Sequence, residues 1–226
     1  MIPLVVLSSV SLLLMLEPDF GAVVVMSTTI LGMLFLGGVR VRHFLVLLPV
    51  ILSVMLFLAF SSSYRVQRFI AFRDPWADQF DSGYQLVQSL IAFGRGSWFG
   101  SGLGGSIQKL LYLPESHSDF IFAVLAEELG LFGVLGVLML YGIFAFRSME
   151  IGRKAKAAGL DYGGNVAYGI GLLISLQTVV NICVNVGLLP TKGLTLPLMS
   201  AGGSSMIVAC IAVGLLFRID YETRVS

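Results

Sequence analysis

Apolar runs long enough to cross a lipid bilayer, separated by polar breaks, set the limits on this fold. A spanning helix needs about 20 mostly apolar residues, with about 17 as a working minimum. Six stretches are candidates: residues 2–16, 20–36, 44–60, 120–146, about 166–189 and about 198–217. The break Glu17-Pro18-Asp19 parts the first two, and only Glu127 and Glu128 interrupt the fourth. Charged residues are 12% of the 226-residue chain and hydrophobic residues 57%, whereas a soluble domain carries about 25% charged. Most of the surface therefore faces hydrocarbon, where the backbone must satisfy its own hydrogen bonds. The expected fold is an all-α polytopic membrane protein with about six transmembrane helices, forming one integral membrane domain over residues 1–226. A net charge of +1 gives no basic field for nucleic acid. Cys183 and Cys210 lie in apolar runs without metal-ligand spacing and are expected to be buried small hydrophobes. The chain opens on an apolar run with no basic n-region, so no cleavable signal peptide is expected, and it reads as the continuation of a longer membrane protein.

Basic residues in short loops set the orientation. Arg40 and Arg42, then Arg147, Arg153, Lys154 and Lys156, then Arg218 and Arg224 fall on one side of an alternating six-span arrangement. That side is expected to be cytoplasmic. Residues 61–119 then form a large extracytoplasmic loop, and the turn 190–197 lies on the same outer side. A loop this long exceeds the usual connector of about 12–15 residues and reads as functional. It holds Trp76 and Trp98, and residues 82–93 place Leu86, Leu90, Ile91 and Phe93 near helical spacing. A short amphipathic helix on the membrane surface is expected there.

Several polar groups stand where they carry chemistry or structure. Asp119 closes the outer loop just before the fourth span. It is either an N-cap for that helix or a general base at the lipid boundary, its acidity tuned by neighbouring Glu115 and His117. Glu127 and Glu128 lie inside the span, where ionisable groups are costly, and they either act in function or pair with basic residues in helices that this chain lacks. Asn181 and Asn185, at i and i+4 with Gln177 a turn earlier, are expected to make interhelical hydrogen bonds. Gly130, Gly133 and Gly136 suggest close helix packing. Gly100-Ser101-Gly102-Leu103-Gly104-Gly105 matches a dinucleotide pattern but lacks the strand and βαβ unit such a site needs, so it reads as turns. Arg65, Arg68, Arg73, Lys109 and Lys192 project from the outer side, where they could bind phosphate or membrane headgroups.

Long motifs in order resemble the SEDS family (shape, elongation, division and sporulation), in its cell-division branch. They include Glu17-Pro18-Asp19-Phe20-Gly21, Tyr64-Arg65 with Arg68, Gly83-Tyr84-Gln85-Leu86 with Gln88-Ser89, and Phe93-Gly94-Arg95-Gly96. The strongest are Lys109 to Phe122 around Leu113-Pro114-Glu115, His117 and Asp119-Phe120, then Glu127-Glu128-Leu129-Gly130. Leu189-Pro190-Thr191-Lys192-Gly193-Leu194-Thr195-Leu196-Pro197 leads to Ser200 and Gly202-Gly203-Ser204-Ser205, and the terminal Arg218 to Arg224 stretch fits the division branch.

The resemblance implies a ten-helix fold of which this chain carries the later part, about helices five to ten. It implies a peptidoglycan glycosyltransferase that joins lipid II, an undecaprenyl-diphosphate-linked disaccharide-pentapeptide, into glycan strands at the division septum of the bacterial inner membrane. Asp119 would be the catalytic base. Arg65, Arg68, Gln85, Lys109, Glu115, His117, Lys192, Ser204 and Ser205 would bind substrate. No tightly bound cofactor is expected, and a divalent cation such as Mg²⁺ could ride on the substrate phosphates without a protein-built cage. The implied partners are a class B penicillin-binding protein transpeptidase and other division proteins of the membrane. The early helices, outside this chain, would carry groups that the activity needs. A lipid II flippase and a scaffold for a transpeptidase are the competing classes. Transporters gather polar groups near the midplane, whereas the charges here gather in the outer loop.

Overall fold

The computed structural model describes residues 10, 13–14, 20–38, 45, 48–49, 53, 68, 70–191 and 193–225. Among them every regular element is helical: α1 (Phe20–Leu36), α2 (Tyr84–Gly96), a π-helical turn (Gln108–Tyr112), α3 (Ile121–Ala157), α4 (Asp161–Asn185) and α5 (Gly203–Val225). α3, α4 and α5 are long and apolar enough to cross a membrane, and α1 is a shorter apolar helix. The expected spans at 2–16 and 44–60 fall almost wholly outside the described residues. α3 continues beyond its apolar run because Glu150 pairs with Arg147 and Lys154 along its surface, each at 2.8 Å. α5 is prolonged in the same way by Arg218–Glu222 and Arg224–Asp220.

The chain divides into two compact units. One comprises Met1–Ala59, Gly142–Leu176 and Ile207–Ser226. Its core gathers Ala155, Ala167, Leu216 and Ile219, with Phe144, Ile151 and Leu160 packed around them. Small residues let helices approach here: a Cβ on Gly152 would lie 2.5 Å from the Tyr168 ring, and one on Gly171 would lie 2.6 Å from Ser148 Cβ. Close packing was also expected at Gly130, Gly133 and Gly136, and Gly130 does lie against the Gly100 backbone. A Cβ on Gly136 would meet nothing within 4 Å, and one on Gly133 would meet only Leu129 of its own helix. The cysteines correct a further expectation, since Cys183 is half-buried and Cys210 is exposed.

The second unit comprises Phe60–Tyr141 and Gln177–Met206. Ala92, Leu113, Phe120, Ala123 and Val184 form its core, flanked by Phe93, Val124 and Val180. The amphipathic helix expected over residues 82–93 is present as α2. Leu86, Val87, Ser89, Ala92 and Gly96 are buried, so the helix packs its apolar side into protein.

Gly130, at φ 66° and ψ −165°, breaks α3 inside its span. Such a kink frees helical donors and acceptors that must find partners. The preceding loop partners four of them. Ser101 N–H donates to Glu127 O at 2.9 Å and Gly102 N–H to Glu128 O at 3.0 Å. Leu131 N–H donates to Ser97 O at 3.0 Å and Phe132 N–H to Trp98 O at 3.3 Å. The two backbones touch because glycines face each other: a Cβ on Gly100 would lie 2.1 Å from Glu128 O, and one on Gly130 would lie 2.4 Å from Gly100 N. The glycine-rich stretch is thus a set of turns, as its sequence suggests, with positive φ at Gly100, Gly102 and Gly104.

Candidate functional site

Asp119 stands two residues ahead of the first residue of α3 and is partly buried. The backbone around it is held from outside the helix. Ala201 N–H donates to His117 O at 2.9 Å. The Ser200 hydroxyl donates to Ser118 O at 2.6 Å and accepts Leu196 N–H at 2.6 Å. The side-chain amides of Asn181 and Asn185 both donate to Asp119 O, at 2.9 and 3.0 Å. Three successive carbonyls are therefore fixed by three separate sources. Each buried bond of this kind is worth about 1 kcal/mol net, and more is lost when one partner is left unpaired.

The segment after α4 brings a cation to the same place. The Arg68 guanidinium donates to Thr191 O at 3.0 Å. Two residues on, a Cβ on Gly193 would lie 3.4 Å from Asp119 Oδ2, so this glycine lies against the carboxylate. Consecutive Cα atoms are about 3.8 Å apart, so Arg68 and Asp119 contact two ends of a segment no more than about 7.6 Å long. Asn181 also donates to Leu194 O at 2.5 Å, and Gln177 donates to Thr195 O at 3.0 Å, fixing the rest of that segment. Lys192 sits between Thr191 and Gly193 in sequence, and it and Arg65 lie outside the described residues.

Arg68 also lines a cavity of about 500 Å³ with Phe80, Asp81, Ser82, Tyr84, Gln85 and Pro114. This hollow joins two of the expected substrate-binding residues, Arg68 and Gln85, to aromatic faces. A neighbouring hollow of about 230 Å³ shares Asp81 and Ser82 and adds Asp74 and Asp78. Those acids cap local turns: Asp78 accepts the Ser82 hydroxyl at 2.5 Å, and Asp74 accepts Ala77 N–H at 3.3 Å.

Glu115 and His117 are exposed, and Glu115 accepts the Ser118 hydroxyl at 2.6 Å. Ser204 is exposed at the start of α5, and the Ser205 hydroxyl donates to Gly202 O at 3.0 Å. Lys109 is not a bare cation, because its ammonium meets Glu128 at 2.6 Å. Glu127 is wholly buried. Its carboxylate accepts the Ser106 hydroxyl at 2.5 Å and the N–H groups of Ile107 and Gln108 at 3.2 Å each, and it pairs with Arg95 at 3.4 Å. Of the two readings left open for these glutamates, pairing describes both, and the partners come from the preceding loop.

Sequence reasoning assigned Asn181, Asn185 and Gln177 to interhelical bonds. They do cross between elements, but they bind backbone next to Asp119 and along 194–195. The only signal was their spacing on one face of α4, which does not say what the face meets.

A family model described as cell cycle protein, FtsW/RodA/SpoVE, matches residues 1–225. The chain belongs to the FtsW/RodA/SpoVE family. It is a multi-pass membrane protein of all-α fold. A relative from Nitrosococcus halophilus, named "Probable peptidoglycan glycosyltransferase FtsW", is 60% identical over 98% of this chain and 57% of its own length. A Legionella pneumophila relative of the same name is 58% identical over 98% of this chain and 56% of its own. The chain thus spans a little over half the length of the curated relatives it matches. Among solved structures, one described as the structural coordination of polymerization and crosslinking by a peptidoglycan synthase complex is similar at TM-score 0.75 and 29% identity. It covers 98% of this chain and 61% of that one. A crystal structure of a mutant Thermus thermophilus rod shape determining protein RodA is similar at TM-score 0.63 and 28% identity, over 98% of this chain and 56% of that one.

Proposed function

We propose that this chain is the later part of a peptidoglycan glycosyltransferase that polymerises lipid II at the division septum of the bacterial inner membrane. One observation carries the reading: Asp119 and Arg68 contact two ends of one short segment, so an acid and a cation share a site beside an open cavity. The names of the FtsW relatives support it. In this reading residues 61–119 form the extracytoplasmic loop of a single membrane domain, and the site faces the sugars of a substrate anchored in lipid.

The Asp119 carboxylate takes the proton from the acceptor sugar 4-hydroxyl as that oxygen bonds to the anomeric carbon of the donor chain. The bond from that carbon to the undecaprenyl diphosphate breaks, its electron pair leaves with the diphosphate, and the configuration inverts. Arg68, with Arg65 and Lys192, stabilises the charge that develops on the leaving group. Lys109, held by Glu128, acts at the same surface. Gln85, Glu115, His117, Ser204 and Ser205 hydrogen-bond the sugars and peptide. Among the described residues no three His, Cys, Asp or Glu side chains gather as a metal cage requires. A divalent cation such as Mg²⁺ would be held through the substrate phosphates. A class B penicillin-binding protein would crosslink the strands.

The test supplies lipid II in detergent to the full-length protein with its partner transpeptidase. Glycan strands are expected from the unmodified protein and none from Asp119→Asn. Equal strands from both would overturn the general-base role. Lipid II movement across vesicles with no strands from either would favour a flippase.

A further inference from the structure

We propose that Asn185 is a positioning residue for Asp119, its side-chain amide inserted into the first turn of α3 in place of a helical hydrogen bond. A helix that included Asp119 would send Ala123 N–H to Asp119 O, the i to i−4 bond. Here Asn185 stands between those two groups. Its Oδ1 accepts Ala123 N–H at 3.2 Å and its Nδ2 donates to Asp119 O at 3.0 Å. Ala123 N–H is otherwise drawn to Phe120 O at 3.0 Å, a tighter turn than the α-helix makes.

The residue type fits the task. An amide carries a donor and an acceptor on one rigid plane, so a single side chain can replace both halves of a missing backbone bond. Asn185 is wholly buried, so its amide is placed to serve groups that surface water would otherwise serve. Its orientation is set by Asn181, whose backbone and side-chain oxygens accept Nδ2 at 2.9 and 3.2 Å. Asn181 itself donates to Asp119 O, so the carbonyl is held twice.

The consequence concerns where the carboxylate points. With the amide removed, Ala123 N–H keeps only the Phe120 carbonyl and Asp119 O only the Asn181 donor, so the ordinary helical bond between the two can close. α3 then gains residues at its start, and Asp119 turns about the helix axis by about 100° for each residue wound in. The carboxylate leaves its place beside Gly193 and the reacting hydroxyl. Asn185 thus acts through Asp119 and touches no substrate.

The inference rests on the general-base reading of Asp119, and the experiment separates the two. The full-length protein with its partner transpeptidase is assayed on lipid II as Asn185→Leu, which has no hydrogen-bonding atom, and as Asn185→Asp, which keeps an acceptor but lacks the amide donor. kcat is expected to fall about 100-fold, the scale of a misplaced reacting group, while KM for lipid II stays within about twofold. Ser89→Ala is the control: its hydroxyl donates to Asn185 O at 2.7 Å, so its loss touches the same residue's backbone but not its amide. It should lower thermal stability and leave kcat within about twofold. Should Asn185→Leu not be recovered folded, Asn185→Ser, too short to bridge the two groups, carries the same expectation. Retained kcat in the Asn185 variants while Asp119→Asn is inactive would overturn the inference alone. So would a rise in KM with kcat unchanged. Full activity of Asp119→Asn would overturn both readings.

Discussion

The carboxylate of Glu127 and the hydroxyl of Ser106 meet at 2.5 Å with both side chains buried, 21 residues apart in the chain. Glu127 lies in α3, less than one turn before the Gly130 kink, and Ser106 lies in the glycine-rich loop. The pair fastens that loop to the helix, with Arg95 and two backbone N–H groups completing the carboxylate's partners. An ionisable residue in a spanning helix is thus spent on structure.

Glu127→Ala should destabilise the full-length protein by about 1–3 kcal/mol, because the buried Ser106 hydroxyl and the loop N–H groups lose their shared acceptor. Thermal unfolding in detergent reads this. A change below about 1 kcal/mol would mean that the loop is held by its backbone bonds alone.

Gly130→Ala should cost at least about 1–3 kcal/mol, since φ is positive and the added carbon would meet the Gly100 backbone at 2.4 Å. Gly136→Ala has open space and should be neutral or stabilising by about 0.5–1 kcal/mol. The same melting measurement on both variants checks the contrast, and equal effects would contradict the kink's account.

Lys109 and Glu128 should couple. In a double-mutant cycle of Lys109→Met and Glu128→Gln, a stability coupling of about 1 kcal/mol is expected for this contact. If Lys109 also serves substrate, Lys109→Met will raise KM for lipid II while Glu128→Gln will not. Identical KM values for both variants would leave Lys109 a structural residue.

Arg68→Met should raise KM for lipid II or lower kcat by about tenfold or more, as loss of a charge-assisted contact to phosphate predicts. Arg68→Lys should restore only part of this, because a point charge cannot reproduce the guanidinium's fork. Steady-state polymerisation rates decide it, and full activity in Arg68→Met would remove the residue from the site.

The sequence by itself determined the class of fold, because the count and length of apolar runs leave a chain of this composition little but spanning helices. It located α1 to the residue and placed α3, α4 and α5. Their ends were less legible, since ion pairs such as Glu150 with Lys154 carry helices past the point where hydropathy stops. It also marked Asp119 and Arg68 as chemically suggestive, through motif and position. Tertiary structure alone decided what holds them. Asn181 and Asn185 are visible in sequence as amides on one helix face, yet both donate to one backbone carbonyl, Asp119 O, 62 and 66 residues away. Every residue carries a carbonyl, so no side-chain pattern announces which ones a fold will leave unpaired. Glu127 tells the same story: its charge was conspicuous, but its partners are Arg95, a hydroxyl and N–H groups in a loop whose path depends on Gly100 facing Gly130.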